Sequence, residues 1–575
     1  LPEKFKEFRP HQIDAVNEVL EHFDDGAHLV NVDAPTGAGK TLIGEAVRLL
    51  HPSRKALYVC TTKTLQDQFL EDFDYALLIK GRANYPTFDD PESFAYGLNA
   101  GMCDIETRYD GAPPGCSVCY SPNTPDVAYE ANAYRGKAEN PTYRHCDFCH
   151  PYQACPYRVA KTAALAAPLA VANTAYFMYE AGNVGGFGDQ SFVIVDEADT
   201  LESLIMSYMR VDLSRWRLKQ AGIKQPKQKT IAASWLPWAT DAEKALKAQI
   251  SFLKREVHTS RGKERYKKVQ ERDRVVKALS SVVRFGAELA IDPDNWVYDG
   301  SAGGVSFRPV EVKRFGENVL WRHSRNFMLM SATLISPASM MEFLGYKKKW
   351  ATVTVNSNFH TEKRPVWVCP AANMTMKLRD TEWPKMVEAV SAVLDRHPDL
   401  RILVHTVSYE FTSYLHEHLR ERHGARLLSY ANAGEREATL ERFRSSKAGV
   451  VLAPSFDRGV DLPDNDARVI VVTKVPFPYL GDKQVSQRLY GTGIAGKTWY
   501  SMETIRSLVQ MTGRGMRHED DWCISYVLDR QFASNIWKNQ RRLIPKWWQD
   551  SLKWGPPTNG GAEAVLRADV PGRLG

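Results

Sequence analysis

The chain has 575 residues, more than one hydrophobic core organises, so three or four domains are expected. Hydrophobic residues make up 43% and charged residues 25%, which excludes a disordered or fibrous protein. The net charge of +7 permits a polyanionic partner without requiring one.

Short apolar runs at Leu29–Val32, Ala56–Thr61, Phe192–Val195 and Phe327–Met330 are each followed by loop and helix signals. The pattern returns at Pro365–Cys369, Arg401–His405, Gly449–Leu452 and Val469–Thr473. Strands alternating with helices predict two α/β cores, each a doubly wound parallel sheet. Two stretches interrupt the first core. Residues 80–158 are rich in Pro, Gly, Tyr, Asn and Cys and lack periodicity, so a structural metal is expected there. Residues 205–310 read as helical, with Ala245, Ile250, Leu253 and Val257, then Val276, Leu279 and Val283, at helical spacing. The positive charge at Lys254, Arg255 and Arg261 through Arg274 fits a solvated face first and a phosphate-contacting groove second. The expected division is 1–79, 159–204 and 311–345 for the first core, 80–158 and 205–310 for its insertions, 346–555 for the second core, and 556–575 for a loose tail. The longest apolar stretches, such as Ala163–Val171, are too short to cross a bilayer, and the charged start (Glu3, Lys4, Lys6, Glu7) does not read as a signal peptide. No membrane association and a cytoplasmic location are expected.

Ala34-Pro35-Thr36-Gly37-Ala38-Gly39-Lys40-Thr41 follows the first strand and precedes a helix-forming run, the context a P-loop requires. Gly37 and Gly39 let backbone amides turn toward phosphates, Lys40 supplies charge at the β and γ oxygens, and Thr41 offers its hydroxyl to Mg2+. Ala34 stands where the motif usually has its first glycine. Asp196-Glu197-Ala198-Asp199 follows a later strand; Asp196 suits Mg2+ and Glu197 suits polarisation of the attacking water. Together these predict ATP hydrolysis.

The ordered motifs of the chain resemble those of the superfamily-two helicases, within them the XPD–DinG branch. Arg9-Pro10-His11-Gln12 resembles the adenine-side Q motif, and Thr61-Thr62-Lys63-Thr64-Leu65-Gln66 resembles motif Ia. Ser331-Ala332-Thr333 matches motif III, and His405-Thr406-Val407-Ser408 resembles motif IV. Asp457-Arg458-Gly459-Val460-Asp461-Leu462-Pro463 is similar to motif V, with Arg458 where the branch commonly has Glu. Gln510-Met511-Thr512-Gly513-Arg514-Gly515-Met516-Arg517 fits motif VI. The resemblance implies two RecA-like cores with ATP between them: Lys40, Thr41, Asp196 and Glu197 on one wall, Gln510, Arg514 and Arg517 on the other. Arg9, Gln12, Pro35 to Thr41 and Asp461 would line the nucleotide. It also implies an arch for the helical insertion, a monomer, and 5′→3′ movement on single-stranded DNA and at single-strand/duplex junctions. Lys63, Gln66, Tyr409 and Arg458 would follow the nucleic acid. Asp199 departs from the His usual in the branch and resembles the spelling of RNA-remodelling DEAD-box proteins. An RNA or RNA–DNA hybrid remodeller is therefore the nearest alternative, and an ATP-switched scaffold that does not unwind is a further one.

Cys60, Cys369 and Cys523 sit singly in apolar runs and are expected to be buried, whereas Cys103, Cys116, Cys119, Cys146, Cys149 and Cys155 cluster and predict metal binding. Their spacing admits a [4Fe–4S] cluster or a tetrahedral zinc site. The branch carries an iron–sulfur domain at this place, which implies a [4Fe–4S] cluster on Cys103, Cys146, Cys149 and Cys155. Cys116 or Cys119 in place of Cys103, and zinc on Cys116, Cys119, Cys146 and Cys149, stay open. The tail from Trp537 to Trp548 reads as a Trp-rich segment packed on the second core, with nucleic-acid contact as the alternative.

Overall fold

The computed structural model describes residues 2, 5, 7–35, 37–85, 156–180, 190–229, 232–300, 304–356, 360–454, 462, 464–513 and 521–556. In chain order the first core contributes β1 (Leu29–Asp33), β2 (Ala56–Cys60), β3 (Leu77–Ile79), β4 (Leu169–Asn173) and β5 (Gln190–Asp196). A small antiparallel sheet of β6 (Val211–Leu213), β7 (Trp296–Asp299) and β8 (Val305–Pro309) intervenes. Then come β9 (Ser324–Ser331) and β10 (Trp350–Thr354). The first sheet runs β10-β1-β9-β5-β2-β4-β3 and every pairing is parallel. Its central strands are buried on both faces, as near-continuous apolar runs such as Phe192–Val195 require.

The second core holds β11 (Val366–Ala372), β12 (Ile402–His405), β13 (Leu427–Ser429), β14 (Val450–Ala453), β15 (Val469–Val472), β16 (Ile524–Asp529) and β17 (Leu552–Trp554). The order is β13-β14-β12-β15-β16-β11-β17, again parallel throughout. The strands expected from the sequence are all present. The division at residue 346 shifts, however, because β10 pairs with β1 and belongs to the first sheet. β10 is half-exposed along most of its length, so it lacks the apolar signature of the interior strands.

The helices that matter for the site are α1 (Pro10–Asp24), α2 (Lys40–Leu50), α3 (Lys63–Asp72), α4 (Pro156–Ala166), α5 (Leu201–Met209), α6 (Trp235–Thr259), α7 (Gly262–Ile291), α8 (Tyr409–His423), α9 (Lys483–Gly491) and α10 (Ile494–Thr512). α6 and α7 form the expected helical insertion. Beneath them Trp235, Trp238, Phe285 and Phe307 make one aromatic cluster, with Phe285 and Phe307 stacked at 4.3 Å. Lys254 and Arg255 are exposed, while part of the basic run is neutralised: Lys268 pairs with Glu256 and Arg272 with Asp273. No helix among the described residues is long and apolar enough to cross a membrane.

The second core grips the first through α9 and α10. Asp482 caps α9, accepting from the amides of Gln484 and Val485, and pairs with Arg308 of β8 at 2.9 Å. Gln484 donates to the Val310 carbonyl and Gln487 to that of Asp294. The Trp-rich tail packs inward as expected: Trp548 is buried and donates to the Thr512 hydroxyl at the end of α10.

Candidate nucleotide site and its link to the second core

β1, β9 and β5 are adjacent, and their carboxyl ends are in register: Asp33 lies opposite Ser331, and Asp196 opposite Met330. The P-loop, Ser331-Ala332-Thr333 and Asp196-Glu197 therefore emerge side by side, at the edge where open parallel sheets bind ligands.

Gly37 and Gly39 both have positive φ, at 80° and 77°, so the loop turns as a phosphate cradle must. A Cβ at Gly39 would come within 2.2 Å of Gln12 Nε2, so a larger residue there would displace the Gln12 side chain. Lys40 and Thr41 start α2, whose amino end faces the same edge. Thr36 lies outside the described residues. Arg9 and Gln12 brace this loop from α1. Gln12 donates to the Ala38 carbonyl at 3.1 Å and accepts from the Arg9 amide at 2.9 Å, while Arg9 reaches the Gly37 carbonyl at 3.4 Å.

Asp196 is nearly buried at the end of β5 and accepts from the Glu197 amide at 2.9 Å. Glu197 has φ 53°, a left-handed conformation uncommon for a side-chain-bearing residue and frequent at functional sites. Its carbonyl accepts from both the amide and the hydroxyl of Thr200, which pins the turn. Thr41 and Asp196 line one cavity, so a hydroxyl and a carboxylate are available together for Mg2+.

Asp33, just before the P-loop, is pushed up from 3.8 to about 7 by burial, against the Leu334 amide and the Lys40 charge, which pull it down. Its protonated form is thus favoured by folding. The stability it contributes is full below about pH 4 and is lost as pH rises through about 7. Asp33→Asn should gain more thermal midpoint over the wild type at about pH 8 than at about pH 5, measured by calorimetry at both. An equal shift at the two values would contradict this.

Asp199 is one of the points where the second core meets the first. It accepts from the Ser331 hydroxyl at 2.7 Å and from Gln510 Nε2 at 3.1 Å, and Gln510 also donates to the Thr333 hydroxyl at 3.1 Å. Arg506, one turn earlier on α10, stands 3.6 Å from Asp199 and pairs with Glu503. Burial opposes the Arg506 charge, but Glu503, Asp199 and Glu202 together hold its guanidinium above the usual range. A second buried pair joins Glu202 of α5 to Arg488 of α9, with the Arg488 guanidinium stacked over Trp499 at 4.3 Å and near Phe343. Arg488 and Arg506 were missed in the sequence; the available signal was an arginine inside each of two otherwise packed helices.

The remaining expected residues divide into three groups. Lys63 is exposed and donates to Asn84, and Tyr409 is 41% exposed at the start of α8, beside Tyr430. Gln66 is corrected: it was expected on the nucleic-acid track but is 1% exposed, on the inward face of α3 with Phe69. At that exposure it forms part of the interior and not of a surface groove. Arg458, Asp461, Arg514, Arg517 and the cysteines Cys103, Cys116, Cys119, Cys146, Cys149 and Cys155 lie outside the described residues. Cys60 and Cys523 are buried as expected, and Cys369 is half-buried. The described chain on either side of the cysteine segment meets: Tyr85 and Tyr157 pack edge to face at 5.7 Å, and Tyr157 bonds Tyr176 and Glu180.

The molecule thus brings two parallel α/β cores together beside the glycine-rich turn that precedes Lys40. Residues 391–551 match the family described as "Helicase C-terminal domain", and residues 5–88 match "Type III restriction enzyme, res subunit". A regulator of telomere elongation helicase 1 homolog of Drosophila persimilis is 28% identical over 138 residues, covering 21% of this chain and 13% of that protein. A Fanconi anemia group J protein homolog of Gallus gallus is 30% identical over 106 residues, covering 16% and 8%. The chain thus spans about a tenth of the length of the curated relatives it matches. A solved XPD helicase superposes with a TM-score of 0.59 at 17% identity, covering 95% of this chain and all of that one. The S. tokodaii Xpd4 structure gives 0.55 at 14%, with coverage of 95% and 100%. The sequence matches cover parts of the chain and make it similar there to these helicases, and the superpositions show a shared two-core fold.

Proposed function

We propose that the chain is an ATP-driven nucleic-acid translocase, a 5′→3′ DNA helicase that tracks on single-stranded DNA and opens duplex at junctions. The observation that carries it is Gln510, an α10 side chain of the second core that bonds Asp199 and Thr333 of the first. A group so placed senses the nucleotide edge and the position of the opposite core at once. ATP binds with Lys40 at its phosphates, Thr41 and Asp196 hold Mg2+, and Glu197 orients the attacking water. Arg514 and Arg517, following Gln510 on the same segment, stabilise the charge of the transferring phosphoryl group from the second core. Arginines so supplied are worth about 10³–10⁵ in rate. Closure on ATP and release after hydrolysis then shift the population between two core arrangements, moving a strand held by Lys63, Tyr409 and Arg458.

In the Cys-rich insertion at 80–158, Cys103, Cys146, Cys149 and Cys155 would hold a [4Fe–4S] cluster. Zinc on the C-x2-C pairs is the competing assignment. The Asp199 spelling does not itself favour RNA, because Ser331, Gln510 and Arg506 already engage its carboxylate within the protein.

Strand displacement on 5′-tailed and 3′-tailed DNA and RNA duplexes, with and without ATP, tests the reading. ATP-dependent opening of 5′-tailed DNA is expected, with loss in Lys40→Ala. Opening of RNA or hybrid duplexes alone would favour the remodeller, and ATP hydrolysis without opening would favour the scaffold. Iron and zinc quantitation on anaerobically purified protein decides the metal.

A further inference from the structure

Tyr58 lies in the middle of β2, opposite Ile194 of β5, two residues before Asp196. Its ring is packed against Phe69 of α3 at 4.1 Å, and the residue is 2% exposed. The ring alone would satisfy that packing, and a phenylalanine would fill the same space. The hydroxyl is what needs a reason. It is buried and makes no well-formed hydrogen bond, and the polar groups close enough to interact with it are Thr41 and Asp196. A buried hydroxyl aimed at a hydroxyl and a carboxylate suited to Mg2+, and short of a well-formed hydrogen bond, calls for an explanation in terms of something that binds between them.

The surroundings say what that is. Thr41, Tyr58, Gln68, Glu71, Asp72 and Asp196 line one cavity of about 220 Å³, with Leu65 and Phe69 closing its apolar side. This is room for several waters beside the two side chains suited to Mg2+. Mg2+ keeps much of its hydration shell in nucleotide sites, so oxygen ligands there include waters needing outer partners. A phenol O–H is a good donor to a carboxylate or a bound water.

Resting on the nucleotide-site reading above, we propose that Tyr58 is a positioning residue for magnesium. Its hydroxyl donates to the oxygen ligands gathered between Thr41 and Asp196 and orients them. It touches neither phosphate nor the reacting water. Outer partners of this kind typically change metal affinity by about 10–100-fold.

The test compares the full-length wild type and Tyr58→Phe for binding of a fluorescent ATP analogue, first in EDTA and then across a Mg2+ titration. The unliganded thermal midpoint is recorded alongside. The expected result is unchanged affinity in EDTA, an unliganded midpoint no lower than that of the wild type, and a Mg2+ half-saturation raised about tenfold in the variant. Superimposable Mg2+ titrations would overturn the assignment and leave Tyr58 a packing residue. So would an equal loss of affinity with and without Mg2+, which marks a general disturbance of the sheet. Should the wild type itself bind no nucleotide, the nucleotide-site reading fails, and this assignment with it.

Discussion

Glu197→Gln should bind ATP as the wild type does and hydrolyse it about 10²–10⁴-fold more slowly, the range for removal of a general base. The substitution removes only the proton-accepting oxygen. The turn is held through the main-chain groups of Glu197, whose carbonyl accepts from the Thr200 amide and hydroxyl and whose amide donates to the Asp196 carboxylate, and glutamine keeps all three bonds. The left-handed φ of 53° is equally open to either residue. Single-turnover hydrolysis and nucleotide titration separate the two quantities. A variant hydrolysing at the wild-type rate would remove Glu197 from the chemistry and shift the water-orienting role elsewhere on the edge.

Arg488→Ala should lower stability by about 3–5 kcal/mol, since it strands a buried carboxylate. Glu202 is enclosed, and burial already raises its pKa against the pull of Arg488. Without the guanidinium, the site between Phe343 and Trp499 also loses a stacked group. The double variant Arg488→Met, Glu202→Leu should recover most of the loss, because it removes both charges and keeps apolar volume. Thermal and denaturant midpoints of the three proteins check this. A single variant indistinguishable from the wild type would mean that the α5–α9 pair is solvated and contributes nothing to the joining of the cores.

Much of this was legible before any coordinates. A P-loop needs a strand, a turn of small residues, lysine and a helix in immediate succession, and Leu29 to Val47 spells that out locally. Asp196-Glu197 and Ser331-Ala332-Thr333 each follow an apolar strand, and their adjacency follows from the parallel order that β1, β9 and β5 adopt. What was hidden depends on side-chain direction or on distant partners. Gln66 sits in a motif associated with nucleic acid, yet it shares the buried side of α3 with Phe69, a burial set by the sheet beneath it and not by the motif. Arg488 and Arg506 look like ordinary surface cations until Glu202 and Asp199 are brought against them. β10 was missed because an edge strand with half-exposed residues has no continuous apolar run.

The meeting of Tyr85 with Tyr157 has an architectural consequence. A chain that leaves a scaffold and re-enters it at the same doorstep places almost no demand on what is threaded between. Lengthening such an excursion adds only a slowly growing entropic burden, and its ends need no spanning distance. The scaffold can therefore keep its own geometry while the appended part is remade. Cysteine number and spacing in the stretch between are free to diverge from those of kindred proteins without disturbing Asp196, Glu197 or the loop that holds Lys40.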